Sequence, residues 1–153
     1  MILNLDKNFK PFASEQEIEF QSFTFSGGEP HIKINSNFDL NQEVTITHRL
    51  NSFNDFGLLI LAVDALKRMN VKVINAFIPY FPAARQDRLM IAGEPLSVKV
   101  YADIINSLQL NKVTVFDPHS EVTPALLNNV EVIYNHEFIS NVLKIIGNNI
   151  KLI

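Results

Sequence analysis

Short apolar runs alternate with longer amphipathic segments from about residue 43 onward. The runs predict strands over residues 44–47, 71–78, 112–116 and 130–134, and the unbroken apolar character of 71–78 indicates burial on both faces. Helical spacing predicts a helix that follows candidate caps at 51–55 and ends near 69, and further helices over about 95–108, 124–127 and 135–146. This alternation predicts an α/β fold with a mainly parallel sheet flanked by helices.

The two ends of the chain differ from this regular middle part. The first forty residues look irregular except for a predicted hairpin, in which residues 20–25 form a strand exposed on one face and 31–34 form its partner. Gly27 and Gly28 permit the tight turn between the two strands. At the other end, Gly147 is predicted to terminate the last helix, and residues 150–153 to begin one more strand.

The helix that ends near residue 69 is apolar around most of its circumference. Such a helix is expected to be buried between layers of the fold or in a contact between subunits. Its apolar residues on one face are Phe56, Leu59, Ile60, Val63 and Leu66, and those on other faces are Leu58, Leu61 and Ala65.

Composition narrows the class of protein. The chain has 153 residues, of which 47% are hydrophobic, enough for one compact domain. A net charge of -3 gives no general attraction to nucleic acid or to an anionic membrane surface, so we expect neither partner. With no cysteine, no signal peptide and no apolar run near the roughly 20 residues that span a bilayer, we expect a cytoplasmic protein.

Polar side chains cluster directly after two predicted strands. Arg85, Gln86, Asp87 and Arg88 follow the first strand, and the polar segment 117–121 follows the next. Ligands of open α/β sheets bind at the carboxyl ends of the strands, where both clusters are expected to lie. Arginine binds phosphate through two parallel hydrogen bonds, so the first cluster is either a phosphate-binding loop or an ordinary solvated loop with ion pairs.

The second cluster adds a candidate metal site. Asp117 and His119 are two residues apart and offer ligands for a hydrated Mg²⁺, although magnesium prefers oxygen donors. The alternative is a simple aspartate turn with a surface histidine. No Walker-type phosphate loop, dinucleotide-binding glycine motif or nucleophile elbow occurs in the sequence, and the scattered histidines make a zinc site improbable.

Five segments, taken in order, resemble one known family. They are FSGGE at 25–29, VDALKR at 63–68, IPYFPAARQDR at 78–88, GEPLSVKVYADIINSL at 93–108 and VFDPHS at 115–120. Their order and spacing resemble ribose-phosphate pyrophosphokinase, the PRPP synthetase family, from about residue 20 onward. The RQDR segment followed by the GEP helix start is the specific part of this match, whereas the glycine turn alone is weak.

The resemblance implies a type I phosphoribosyltransferase-like α/β domain with a small hairpin extension. It also implies a transferase of nucleotide biosynthesis that moves the diphosphate of ATP, with Mg²⁺, onto the C1 hydroxyl of ribose 5-phosphate. By the family's pattern, Arg85 and Gln86, with Asp87 beside them, belong to the ATP-binding site. His119 is expected beside the ATP phosphates and Mg²⁺, with Asp117 next to it.

The hairpin turn is implicated in a neighbouring subunit's site. By the same resemblance, Phe25 and Glu29, on either side of Gly27 and Gly28, reach the adenine of ATP bound to another subunit, so a homo-oligomer is expected. The family usually has Asn or Asp in place of Gly27, and it has leucine in place of Pro118.

The family has two similar domains, and only the first is matched. We expect residues 1–153 to be that single N-terminal domain, the C-terminal domain that binds ribose 5-phosphate being absent from the chain, and we expect no activity from the chain alone. An alternative is a non-catalytic regulatory module that assembles with a complete enzyme through the apolar helix. A chance resemblance of an unrelated α/β domain would require all five segments to agree in order.

Overall fold

The computed structural model describes residues 1–146, so the predictions for Gly147 and for residues 150–153 lie outside the described residues. Seven strands are found: β1 (Ile2–Asn4), β2 (Phe20–Thr24), β3 (Pro30–Ile34), β4 (Val44–Thr47), β5 (Ile74–Ile78), β6 (Lys112–Phe116) and β7 (Val130–Ile133). Four helices accompany them: α1 (Phe53–Arg68), α2 (Ser97–Ser107), α3 (Val122–Leu126) and α4 (His136–Ile146).

Five of the strands form one sheet in the order β1-β4-β5-β6-β7, and every pairing in it is parallel. From β4 to β7, each strand is followed in the chain by one helix and then by the next strand of the sheet, always on the same side of the strand before it. Because such crossovers are right-handed, α1, α2 and α3 pack on the same face of the sheet. The predicted α/β architecture with helices between parallel strands is confirmed.

The first strand was missed by the sequence pattern. Residues Ile2–Asn4 pair in parallel with β4, and the Leu3 side chain is completely buried. The expectation that the first forty residues are irregular outside the hairpin is therefore wrong at this position. Three residues are too few to show a period, and the strand is held by β4 and by the Ile18 amide, which donates to the Ile2 carbonyl at 2.7 Å.

The predicted hairpin exists as a separate two-stranded sheet of β2 and β3. Its β3 strand packs on α1 and buries Ile32 and Ile34. The approach is close, since a Cβ atom at Gly57 would lie 3.0 Å from Pro30 Cγ. Strand β2 lies outside β3, and its residues 21–24 are exposed on both faces, so the prediction of burial on one face is wrong.

Helix α1 begins and ends at well-formed caps. Ser52 Oγ accepts from the Asp55 amide at 3.3 Å, while Ser52 donates to the Asp55 carboxylate at 2.9 Å. At the other end, Asn70 adopts a positive φ of 65° and the Val71 amide donates to Leu66 O, which is a Schellman motif. This turn uses the first residues of the predicted 71–78 strand, so β5 starts at Ile74.

The apolar circumference of α1 is explained in part by packing within the chain. One side of the helix faces the sheet and α2, where the Phe56 ring meets Tyr101 edge-on at 5.0 Å, and another side carries β3. The two layers account for only part of the burial predicted from the sequence, since Leu58, Ile60 and Ala65 are half-buried and Leu61 is 37% exposed. The fully buried residues of the helix are Phe56, Leu59, Ala62, Val63 and Leu66.

Buried polar groups lie at the carboxyl ends of β1 and β4. Thr47 Oγ1 donates to Asn4 Oδ1 at 2.6 Å. The next residue, His48, is only 3% exposed, and neither of its ring nitrogens has a hydrogen-bond partner within residues 1–146. Its Nε2 lies 3.8 Å from Asp55 Oδ1. Burial lowers the pKa of His48, and the carboxylates of Asp55 and Asp6 only partly oppose that shift.

We expect the lowered pKa of His48 to make the protein less stable as the pH falls. The unfolded chain takes up a proton near pH 6.5, whereas the folded chain does so at a lower pH. The contribution of His48 to the free energy of unfolding is therefore complete above about pH 6.5. Below that pH it declines, with a slope of up to about 1.4 kcal/mol per pH unit until the pKa of the folded state is passed.

Urea unfolding of the protein and of His48→Gln between pH 5 and pH 7.5 measures this contribution. His48→Gln should have a flatter dependence of its unfolding free energy on pH, whatever its absolute stability. His136→Gln, an exposed histidine, is the matched control and should keep the slope of the unaltered protein. Equal slopes in all three proteins would contradict the expectation.

Candidate functional site

The loop that follows β5 is anchored by apolar side chains and presents polar ones. Phe81 and Ala84 are buried, and the Gln86 amide donates to Ala83 O at 2.8 Å, with Ala83 at a positive φ of 57°. The Gln86 carbonyl in turn accepts from the Val98 amide in the first turn of α2 at 3.4 Å. Arg85 and Gln86 are exposed, so a fixed backbone carries two solvent-facing donors at the carboxyl edge of the sheet.

Asp87 departs from its neighbours because its side chain is only 8% exposed. One carboxylate oxygen accepts from Ser120 Oγ at 2.7 Å, and the other lies 3.5 Å from Arg88 Nε. The Ser120 hydroxyl is the main cause that lowers the pKa of Asp87, while burial opposes the shift and Arg88 adds to it. Through this bond, the loop after β5 contacts the loop after β6.

The loop after β6 is also held on its other side. The Asp117 amide donates to Ile133 O at 2.8 Å, and its carboxylate accepts from Asn135 Nδ2 at 2.7 Å. Asp117 has a positive φ of 43°, a conformation that few residues other than glycine, asparagine and aspartate adopt readily. His119 is exposed on the same loop. Three successive loops of the sheet edge are thus joined by two side-chain hydrogen bonds to carboxylates.

The residues at this edge of the sheet fit a magnesium ion that takes few ligands from the protein and most of them from water and phosphate oxygens. Within residues 1–146, no three histidine, aspartate or glutamate side chains come together as a metal cluster. Asp117 uses only one carboxylate oxygen, toward Asn135, and the described part of the chain gives the other oxygen no hydrogen-bond donor. Mg²⁺ commonly takes one or two protein carboxylates and completes its shell with water and phosphate oxygens.

The hairpin tip lies apart from this edge. Gly28 has a positive φ of 97°, and the Phe25 amide donates to Glu29 O at 2.8 Å, which forms the predicted turn. The Glu29 carboxylate folds over Gly27, where a Cβ atom would lie 2.6 Å from Glu29 Oε2. In the part of the chain that the structure describes, no hydrogen bond or ion pair joins this tip to the loops after β5 and β6.

The tip also exposes an aromatic cluster of Phe23, Phe25 and His31. Phe23 and Phe25 are 52% and 51% exposed, and their rings meet edge-on with centroids 4.9 Å apart. His31 lies opposite Phe23 in the hairpin and contacts both rings. Contiguous exposed apolar side chains of this kind are a feature of interaction surfaces when the patch is large.

Two large grooves lie elsewhere on the molecule. One, of about 550 Å³, crosses the sheet face opposite the helices and is lined in part by Phe12, Phe77 and Glu131. The other, of about 870 Å³, lies between the segment around Glu17 and the hairpin. Neither is lined by residues 79–96 or 117–121 of the carboxyl-edge loops.

Sequence reasoning missed the residues that connect the loops. Ser120 stood inside the quoted polar segment, but nothing in a single serine indicated its bond to Asp87. Asn135 was predicted to cap α4, and its carbonyl does accept from the Ile139 amide at 2.9 Å, but its side chain is directed to Asp117. Both contacts join residues far apart in the chain, which a local pattern does not report.

Comparison with known proteins gives consistent matches. The family model described as the N-terminal domain of ribose phosphate pyrophosphokinase matches residues 13–108. The chain is similar to the ribose-phosphate pyrophosphokinase of Mycoplasma pneumoniae, 30% identical over 126 residues that make up 80% of this chain and 38% of that protein. It is also similar to the enzyme of the same name from Aquifex aeolicus, 39% identical over 98 residues, which are 63% of this chain and 32% of that protein.

The fold matches as well. The structure of phosphoribosylpyrophosphate synthetase from Mycobacterium smegmatis superposes with a TM-score of 0.77 at 18% identity, over 93% of this chain and 50% of that chain. The chain spans only about a third of the length of the curated relatives that it matches. Since the family model covers well over half of its residues, the chain belongs to the ribose-phosphate pyrophosphokinase family, through that family's N-terminal domain.

Proposed function

We propose that the chain supplies the ATP-binding half of a ribose-phosphate diphosphokinase, which converts ATP and ribose 5-phosphate into PRPP and AMP. The observation that carries the proposal is the joining of two loops at one sheet edge, one with Arg85 and Gln86 and the other with Asp117 and His119. Membership of the ribose-phosphate pyrophosphokinase family supports a nucleotide as the ligand of these loops.

Each side chain has a physical role in this proposal. Arg85 and Gln86 contact the nucleotide and orient it, the guanidinium through charge-assisted hydrogen bonds. His119 would lie beside the phosphates, and Asp117 would hold Mg²⁺ through the carboxylate oxygen that does not accept from Asn135. When bound, Mg²⁺ neutralises charge on the phosphate oxygens. Diphosphoryl transfer depends on positioning and charge neutralisation more than on covalent chemistry, and fixed loops meet that need.

The reaction belongs to the whole protein in this proposal. The oxygen of the C1 hydroxyl of ribose 5-phosphate attacks the β-phosphorus of ATP, the bond to the α-phosphate oxygen breaks, AMP leaves, and the hydroxyl proton is released. The family resemblance implies that ribose 5-phosphate binds to the C-terminal domain, and the family model matched here is that of the N-terminal domain. We therefore assign that substrate to a second domain and treat residues 1–153 as one domain of the enzyme.

The hairpin supplies the second half of a composite site. Phe25 and Glu29 lie at a tip that, within residues 1–146, makes no hydrogen bond or ion pair to the loops after β5 and β6, and we assign them to the adenine bound by a neighbour. A homo-oligomer built in this way explains why two phenylalanine rings remain half exposed. The apolar face of α1 is not required for this contact, because β3 and the sheet already cover it.

A regulatory module is the second candidate, and one observation favours it. The Glu29 carboxylate folds over Gly27, where the family usually has an adenine-recognising Asn or Asp, so the tip is altered at the position that would meet the base. A chain of this kind would assemble with a complete enzyme without contributing to its catalysis. Absence of ATP binding by the 153-residue chain, together with its assembly into an oligomer, would favour this second candidate.

Removing Arg85 should weaken nucleotide binding. Calorimetric titration of the 153-residue chain with ATP and Mg²⁺ should give saturable binding, and Arg85→Ala should bind at least about 10-fold more weakly because a charge-assisted hydrogen bond is lost. Arg68→Ala removes another exposed arginine, on α1, and is the matched control. Equal affinities for Arg85→Ala and Arg68→Ala would refute the assignment of Arg85.

The chain alone should form no PRPP. Incubation of the purified chain with ATP, Mg²⁺ and ribose 5-phosphate should release no AMP above background, because the proposal assigns the site of the second substrate to another domain. Chromatographic measurement of AMP and PRPP checks this expectation. Turnover that scales with the concentration of the chain would show that the proposed division between two domains is wrong.

Replacing the exposed aromatic pair should weaken self-association. The double substitution Phe23→Ser with Phe25→Ser removes apolar area that an oligomer would bury, at about 25 cal/mol for each Å² lost from the contact. Sedimentation equilibrium at micromolar concentration should show a shift toward smaller species. Phe138→Ser, on α4, removes a ring of similar exposure and should have less effect. A strict monomer before any substitution would contradict the composite site.

A further inference from the structure

Asp87 is the one residue of the segment 85–88 whose side chain is turned inward. Arg85, Gln86 and Arg88 are all exposed, whereas the Asp87 side chain is 8% exposed and its carboxylate accepts the Ser120 hydroxyl at 2.7 Å. We propose that Asp87 is a positioning residue that acts through Ser120 to hold Arg85 and Gln86 in register with the loop that carries His119. This inference rests on the proposed nucleotide site and assigns Asp87 a place behind it.

The Ser120 hydroxyl is bound on both sides. It donates to Asp87, and it accepts from the Val122 amide at the start of α3 at 3.4 Å. The loop after β5 is therefore fixed at two points, at Gln86 by its carbonyl bond to α2 and at Asp87 by its bond to Ser120. Two anchors on consecutive residues restrict the backbone from which Arg85 and Gln86 project.

Electrostatics favour this role over direct contact with the nucleotide. A carboxylate that faced the phosphates would repel them, whereas here its charge is directed to a hydroxyl and lies 3.5 Å from Arg88 Nε. The same contacts keep the pKa of Asp87 low, so the acceptor remains ionised at neutral pH. Positioning through Ser120 and direct contact with the phosphates make opposite predictions. Removal of a carboxylate that repels the phosphates would strengthen nucleotide binding, whereas removal of a positioning carboxylate would weaken it.

Calorimetric titration of the 153-residue chain with ATP and Mg²⁺ separates these roles. Ser120→Ala and Asp87→Asn should each bind about 10-fold more weakly, the change expected when a hydrogen bond to a charged group is lost. Ser120→Thr keeps the hydroxyl and should restore most of the affinity. Ser107→Ala and Asp103→Asn, which remove a hydroxyl and a carboxylate from α2, are the matched controls.

A further variant distinguishes positioning from general weakening of the structure. In the Arg85→Ala background, Ser120→Ala should reduce affinity by less than 10-fold, because one of the two side chains that it positions is already gone. Amide hydrogen exchange at residues 85–88 without nucleotide should be faster in Ser120→Ala than in Ser107→Ala. Both results would support the positioning role independently of the absolute affinity.

The outcomes that overturn the inference are distinct from those that overturn the proposed function. Unaltered affinity and unaltered exchange in Ser120→Ala, with normal binding by the unaltered chain, would remove the role of Asp87 and leave the nucleotide site. Tighter binding by Asp87→Asn with no change in Ser120→Ala would place the carboxylate beside the phosphates instead. No binding by the unaltered chain would overturn the proposed function itself, and the role of Asp87 with it.

Discussion

The common direction of the five parallel strands is the constraint on which the rest of the structure depends. Because β1, β4, β5, β6 and β7 run the same way, every carboxyl end lies at one edge, and the loops that leave them become neighbours. Residues 85–88 and 117–120 are about thirty positions apart in the chain, yet a hydrogen bond of 2.7 Å joins them. The polar side chains of these two loops meet at this edge because the sheet topology brings the loops together there.

The features that the sequence predicted well are those encoded by a local period or a local backbone preference. The unbroken apolar run that contains β5 and the alternation of strands with helices were sufficient for the fold class, and Gly27 with Gly28 located the hairpin turn. Strand β1 was not predicted, because three residues carry no period and its partner strand lies forty positions away. Its existence follows from pairing with β4, which is a tertiary contact.

The candidate site divides in the same way. Arg85, Gln86, Asp117 and His119 could be named in advance because each belongs to a short motif. The bonds that order them could not, since Ser120 and Asn135 are common residue types whose partners lie 33 and 18 residues away in the chain. Asp87 shows the consequence most clearly: the motif placed it among the ATP-binding residues, while its buried carboxylate faces Ser120 and leaves the exposed positions to its neighbours.

Helix α1 connects the two halves of the proposed composite site. Its N-terminus begins just beyond the carboxyl end of β4, where His48 lies 3.8 Å from Asp55, and its next turn carries Gly57 against Pro30 of the hairpin. The sheet edge and the hairpin are therefore attached to the same helix. In the proposed oligomer, a second copy would receive the tip in an orientation that depends on α1. The close packing of Pro30 against Gly57 holds the base of the hairpin on this helix.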